Sequence, residues 1–186
     1  FDNLDDENPY LNFNASKSLE RIEYALAASY REDLARNDAA TDSGNFDSQA
    51  RVISRQLAPS VIYKLTERDS LKAALTIDER RYSTDQFSDN DSEAWLVAWQ
   101  RKVTERLTTG ISVSHTDYES FNDFAQSDSR GQSVSLIANY NLSETLQITS
   151  SIGRRKQTTD TTTGQLRDSE TSYGAVYDVA VSKLYE

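Results

Sequence analysis

Cysteine is absent from the chain, which excludes a disulfide framework, a thiol nucleophile and a thiolate metal site. Histidine occurs once, at His115, too little for a histidine-rich metal centre. No apolar run approaches the roughly 18–20 residues of a membrane-spanning helix, so a helical membrane protein is excluded. A membrane β-barrel is not, because its strands are apolar on one face only. Positive charge is in short supply: 20 Lys and Arg stand against 30 Asp and Glu, a net charge of −10. Such a surface is a poor match for nucleic-acid phosphate, and no nucleic-acid partner is expected. There is neither a signal segment nor an initiator methionine. The opening FDNLDDENPY therefore suggests a processed or partial chain.

What the chain does have is a recurring short motif. KLTERD (64–69), KVTERL (102–107) and NLSETL (141–146) share an apolar residue, a hydroxyl residue and Glu. SLERI (18–22) echoes them, and the sequence closes on KLYE. Their glutamates, Glu20, Glu67, Glu105, Glu144 and Glu186, are spaced 47, 38, 39 and 42 residues apart. Periods of this size mark repeated supersecondary units.

Between the motifs, hydrophobicity alternates with period two. Leu71, Ala73, Leu75 and Ile77 share one parity; Lys72, Ala74, Thr76 and Asp78 share the other. Trp95, Val97, Trp99 and Val103 oppose Ala94, Ala98, Gln100 and Lys102, with Leu96 as an interruption. The same pattern recurs over 133–141 and 173–182. Period two is the mark of a strand with one apolar face. Each motif then reads as a tight turn between long antiparallel strands. The segments 34–47, 84–92, 121–131 and 158–171 are rich in Asp, Asn, Ser, Thr and Gly and read as solvated loops. Nine strands are predicted, at about 10–17, 22–32, 49–65, 70–82, 93–103, 107–118, 132–142, 146–157 and 172–184. Pro59 falls inside the third and suggests a bulge or an edge position.

Strands this long exceed the ~5–6 residues usual in soluble sandwiches, and a propeller would place four strands, not two, in each ~40-residue unit. Short turns alternating with long loops are the pattern of outer-membrane barrels. The predicted fold class is all-β, an antiparallel up-and-down transmembrane β-barrel in which residues 1–186 form part of one domain. Nine strands and a final turn motif imply an incomplete segment, because bacterial barrels normally have an even strand number.

The turn motifs, the strands that follow them (LKAALTIDERRYS, TTGISVSHTDYES, QITSSIGRRKQTT) and the opening FDNLDDENP carry a resemblance. The chain resembles outer-membrane β-barrel porins found beside exopolysaccharide gene clusters, and exosortase-associated outer-membrane proteins. The resemblance covers almost the whole chain. It implies placement in the outer membrane of a diderm bacterium, a role in polysaccharide export and no catalytic residues.

The parity assigns candidate residues. Lys72, Asp78, Arg80, Lys102, Arg155 and Asp178 fall on the polar parity and are the candidate lumen-lining charges. Tyr30, Tyr63, Trp95, Trp99, Tyr140, Tyr173 and Tyr177 fall on the apolar parity as candidate membrane-interface aromatics, in the manner of the girdles of membrane barrels. His115 reads as an interface or surface residue. DNDSE (89–93) and SDSRG (127–131) lack the spacing of an EF-hand loop and read as solvated turns. GRRK (153–156) is a small basic cluster at the outer end of a strand. No catalytic set, metal or cofactor is expected. The expected partners are outer-membrane lipid and lipopolysaccharide, with a polysaccharide or a partner protein. The functional expectation is a barrel that passes solutes or exopolysaccharide; the alternative is an anchoring barrel with a plugged lumen.

Overall fold

The computed structural model describes residues 9–34, 51–84, 87–122, 125–143, 145–164 and 166–183. They form nine strands: β1 (Tyr10–Ser18), β2 (Ile22–Leu34), β3 (Arg51–Lys64), β4 (Asp69–Tyr82), β5 (Asp89–Lys102), β6 (Leu107–Phe121), β7 (Ala125–Asn141), β8 (Leu146–Thr163) and β9 (Leu166–Lys183). Each pairs antiparallel with its neighbours in sequence, giving one sheet in the order β1 to β9. β1 and β9 are its two edges, and the sheet is not closed among the described residues.

The turn motif owes its recurrence to one hydroxyl. Thr66 Oγ1 accepts from the backbone N–H groups of Arg68 and Asp69, at 3.2 and 2.9 Å. Thr104 Oγ1 does the same for Arg106 and Leu107, at 3.3 and 3.0 Å. Ser143 Oγ repeats it for Thr145 and Leu146, at 3.3 and 3.1 Å. A short hydroxyl side chain thus satisfies turn N–H groups that no strand can reach. Backbone bonds from Leu65 to Asp69, Val103 to Leu107 and Leu142 to Leu146 close the three hairpins.

These turns fix the stagger of the sheet. Ile22 at the first turn lies opposite Tyr63, two residues short of Leu65 at the second. The same cross-strand row continues through Leu71 to Trp99, four residues short of Val103, and through Ile111 to Leu136, six short of Leu142. The register therefore advances one residue per strand. With a rise of ~3.3 Å per residue and strands ~4.8 Å apart, level turns require strands tilted by about 35°. Membrane barrels have tilts of about 35–45°.

The loop-side ends depart from the sequence reading. β5 begins at Asp89, β7 at Ala125 and β9 at Leu166, and β8 runs on to Thr163. Most of the segments read as loops at 121–131 and 158–171, and part of 84–92, are strand. DNDSE and SDSRG lie within β5 and β7 rather than in turns. Pairing there continues through Ser, Thr, Asp and Gln, residues that show no apolar alternation because both faces meet water. The loop expected at 34–47 lies outside the described residues beyond Leu34. Pro59 marks neither a bulge nor an edge. β3 is internal, and its register with β4 is the same on both sides of the Ala58–Pro59 interruption.

Gly110 and Gly153 lie on the Ala98 face where neighbouring backbone comes close. A Cβ on Gly153 would stand 2.2 Å from the Val134 carbonyl oxygen and 2.7 Å from Ser135 Cα. One on Gly110 would meet the Trp99 carbonyl oxygen at 2.3 Å. Glycine at such points lets neighbouring backbones approach closely. Gly153→Ala is expected to cost about 1–3 kcal/mol, since the contact is with backbone that cannot turn aside. Gly174→Ala, which meets nothing within 4 Å, is expected to change stability by less than about 0.5 kcal/mol. Denaturant titration of the detergent-folded full-length protein measures both.

Candidate functional site

The sheet has two chemically opposite faces and almost no core. Ala98, 2% exposed, and Ser135, 8% exposed, are the only buried residues among those described. Both lie on the same parity, here called the inner face. Nearly all the exposed large apolar side chains, from Leu57 and Leu71 to Tyr177 at 82% exposure, lie on the other, outer face. Tyr10, Tyr118 and Leu166 are the exceptions.

Counting along each strand from its turn gives the outer face a level boundary. Eight residues from the turn stand Tyr30, Leu57, Ile77, Trp95, His115, Val134 and Arg154. Ten residues from it stand Glu32, Arg55, Glu79, Glu93, Asp117, Gln132 and Lys156. The apolar band is therefore about nine residues deep on most strands from β2 to β8, shortened on β8 by Arg154 and entered on β5 by Arg101 near the turn, close to the ~9–11 that a tilted membrane strand needs. At the tilt derived above it is about 22 Å tall, against an apolar band of ≈ 25 Å in membrane barrels.

Above this boundary the outer face is charged. Glu79, Asp91, Glu119, Asp128 and Asp160 stand directly opposite one another across β4 to β8. Basic residues offset the row at its β3–β4 end. Arg81 bonds both oxygens of Asp91 at 2.7 and 2.9 Å, reaches Glu79 at 3.0 Å and lies 3.8 Å from Asp89, with its guanidinium 5.2 Å from the Phe121 ring centroid. Arg55 pairs with Glu79 at 3.0 Å and Arg51 with Glu32 at 2.9 Å. The hydrogen bond to Asp91 outweighs the desolvation that opposes it, and with the charges of Asp91, Glu79 and Asp89 it holds Arg81 above its ordinary pKa.

All six candidate lumen charges lie on the inner face. Lys72 stands opposite Ala98, Arg80 opposite Ser54 and Asn90, Lys102 opposite Thr108, Arg155 opposite Ser133 and Asp178 opposite Ser151. Asp78 Oδ1 accepts from Gln56 Nε2 at 2.8 Å. The structure does not gather the six into one cluster. Lys72 and Lys102 lie near the turns, Asp78, Arg80 and Arg155 near the loops, and Asp178 on the edge strand. Arg31, Glu23, Lys64, Asp168 and Glu170 share this face and were missed; a parity count extended to the strand ends would have found them. Lys64 pairs with Glu23 at 2.6 Å. Between the charged ends the wall on β3 to β8 is uncharged and mostly small, with Ala58, Ala74, Ser112 and Gly153 beside Leu96 and Ile137, and with Ser114 hydrogen-bonded to Ser133 at 2.8 Å.

All seven candidate aromatics lie on the outer face. Tyr30 and Trp95 stand at its upper boundary, and Tyr63 and Tyr140 lie two residues from their turns. Trp99 is deeper, four residues from the turn, in one cross-strand row with Tyr63 and Tyr177. Tyr173 shares a row with Trp95. His115 is outward too, its ring 5.5 Å from Trp95 and its Nε2 2.7 Å from Asp117. Among the described residues no group of acidic or histidine side chains could hold a metal ion, and no helix is long and apolar enough to cross a membrane.

No protein-family model and no curated protein matches the chain. A solved structure does: outer-membrane expressed OmpT of Vibrio cholerae, with a TM-score of 0.62 at 12% identity. The match covers 95% of this chain and 56% of that one, so this chain spans little more than half of the structure it resembles. The likeness shows the fold, an antiparallel sheet of the outer-membrane barrel type.

Arg81→Gln is expected to lower stability by about 1 kcal/mol, given the partial exposure of the pairs. A raised pKa means that the contribution is complete below the ordinary arginine value and is lost only as pH rises through the higher one. The defect should therefore stay flat from about pH 6 to about pH 10 and shrink in high salt. Urea titrations across that range check it.

Proposed function

We propose that the chain is part of an outer-membrane β-barrel whose inner face lines a path for solutes. The observation that carries this reading is the outer face, mainly apolar over about nine residues from the turns and then mainly charged. In water such a face would be a large exposed apolar patch, which monomeric proteins rarely tolerate. In hydrocarbon it is the surface required. The inner face supports transport because its middle on β4 to β8 is lined mainly by Ala, Ser, Thr and Gly, with Leu96 and Ile137, and most of its charges stand at the two ends. The chain is read as non-enzymatic, its one histidine being turned outward onto Asp117.

Exopolysaccharide is the cargo favoured by the resemblance of the turn motifs. A second reading, an anchoring barrel with a plugged lumen, draws on the same small side chains, against which a plug could pack. Conductance of the full-length protein in a planar lipid bilayer separates the two. The channel reading expects stable steps whose ion preference changes in Lys72→Glu and Asp78→Lys. A folded but silent barrel would favour the plug.

The membrane band has its own test. Val97→Arg, six residues from its turn on the outer face, is expected to cost about 2–4 kcal/mol when the full chain folds into lipid. Glu93→Arg, four residues further up the same strand face, is expected to cost about 0–1 kcal/mol. Equal costs in urea-unfolding titrations from liposomes would remove the band.

A further inference from the structure

We propose that the outer face carries a binding groove for the phosphorylated glycolipid of an outer leaflet, with Arg154 and Lys156 as its phosphate ligands. The proposal rests on the barrel reading above. Two neighbouring cross-strand rows form the walls. One passes through Leu26, Leu75, Trp95 and Lys156, the other through Tyr24, Val97, Val134 and Arg154. The space between them runs in two sections that meet at Trp95.

The stagger of the sheet makes this groove a ramp. Leu26 lies four residues from its turn, Leu75 six, Trp95 eight and Lys156 ten. One end is therefore deep in the apolar band and the other is at its boundary. The chemistry changes in step. From β1 to β5 the walls are mainly apolar, with Lys17 at the β1 edge; from β6 to β8 they acquire His115, Gln132, Arg154 and Lys156. An acyl chain suits the first section and an anionic headgroup the second.

The two cations stand out in a chain this acidic. Of the other outward arginines of the strands, Arg51, Arg55, Arg81, Arg101 and Arg130 each have a carboxylate within 4.0 Å; Arg167, at the loop end of the edge strand β9, does not among the described residues. Arg154 and Lys156 have no carboxylate partner among the described residues. Their cross-strand neighbours are Val134, Ala175, Gln132 and Tyr173. Beside them His115 Nδ1 is buried without a hydrogen-bond partner. An unpaired guanidinium facing outward at the edge of hydrocarbon is costly unless an anion meets it. Phosphate is the anion an arginine fork and a lysine hold best. The apolar continuation of the groove selects a lipid over free phosphate.

The test uses the detergent-folded full-length protein, lipid A, dephosphorylated lipid A and inorganic phosphate, with bound lipid counted by native mass spectrometry. Arg154→Gln/Lys156→Gln should lower lipid A retention by about tenfold. Arg55→Gln/Arg130→Gln, which removes two outward cations elsewhere, should leave it unchanged. Dephosphorylated lipid A should bind the unaltered protein as weakly as lipid A binds the first double variant. Equal retention by both double variants, undiminished binding of dephosphorylated lipid A, or saturable binding of inorganic phosphate alone would each overturn the proposal. Heat-modifiable gel migration checks folding, and Lys156→Gln alone, above the apolar band, serves if the double variant fails to fold. Bilayer conductance is read on the same preparations. A conducting protein that ignores lipid A loses the groove alone; a silent one that retains it loses the channel alone.

Discussion

Backbone register is the constraint on which the structure depends. The sheet has no interior to hold it, so each strand is fixed by the hydrogen-bond ladder to its neighbours and by the turn that sets where pairing starts. A slip of one residue would turn every outward side chain inward. Over β4 such a slip would carry Leu71, Ala73, Leu75 and Ile77 to the Ala98 face and send Lys72 and Asp78 into the apolar band. Thr66, Thr104 and Ser143 bear on this directly, because each fixes the geometry of a turn from which two strands take their register. The one-residue advance per strand then supplies the tilt, and the tilt levels the boundary between apolar and charged side chains.

That boundary explains an arrangement which would otherwise be unfavourable. Carboxylates directly opposite one another in a sheet repel, yet five do so across β4 to β8. They stand at or beyond the tenth residue from their turns, in the part of the sheet assigned here to water, where a high dielectric and dissolved ions screen them. Arg81 and Arg55 hold the end of the row nearest β3. A carboxylate pair six residues lower would stand in the apolar band with neither form of relief, and the outer face there carries none.

The sequence was legible where physics imposed contrast. On the turn side, apolar and polar environments differ sharply, so the alternation through Trp95, Val97 and Trp99 identifies both the strand and its faces. On the loop side both faces are wet, contrast disappears, and Ser127 to Gly131 or Thr158 to Thr163 look like loop although they pair residue by residue. Composition there follows solvation and not backbone conformation. Pro59 misled for a related reason: its missing N–H interrupts the ladder on one side only, and the neighbouring bonds hold the register without a bulge. Of the candidate site, the face of each residue was legible from parity. Its height was not, because height depends on the stagger between strands, which no single strand encodes. The ramp from Leu26 to Lys156 is likewise invisible in sequence.

The same accounting of height bears on the inner face. Five and seven residues from the turns, its side chains on β4 to β8 are Ala74, Thr76, Ala98, Leu96, Ser112, Ser114, Ile137, Ser135, Ser151 and Gly153, without a charge among them. Lys64 and Lys102 stand one residue from their turns and Lys72 three; Arg31, Asp78 and Arg155 stand nine. On β4 to β8 charge on this wall thus belongs to the two ends and not to the middle, whereas on the edge strand Asp178 stands opposite Ser151 at mid-height. Small side chains in the middle let the sheet curve tightly, as the backbone contacts at Gly110 and Gly153 require, and they leave the greatest free width where the wall is least polar. On the proposed channel reading, a solute following this surface would meet Lys72, Lys102 and the Lys64–Glu23 pair at the turn end, a waist uncharged on β4 to β8, and mixed charge at the loop end. Discrimination by charge would then act at entry and exit, and discrimination by size at the waist would depend on whatever faces Ala98 and Ser135 from across the barrel.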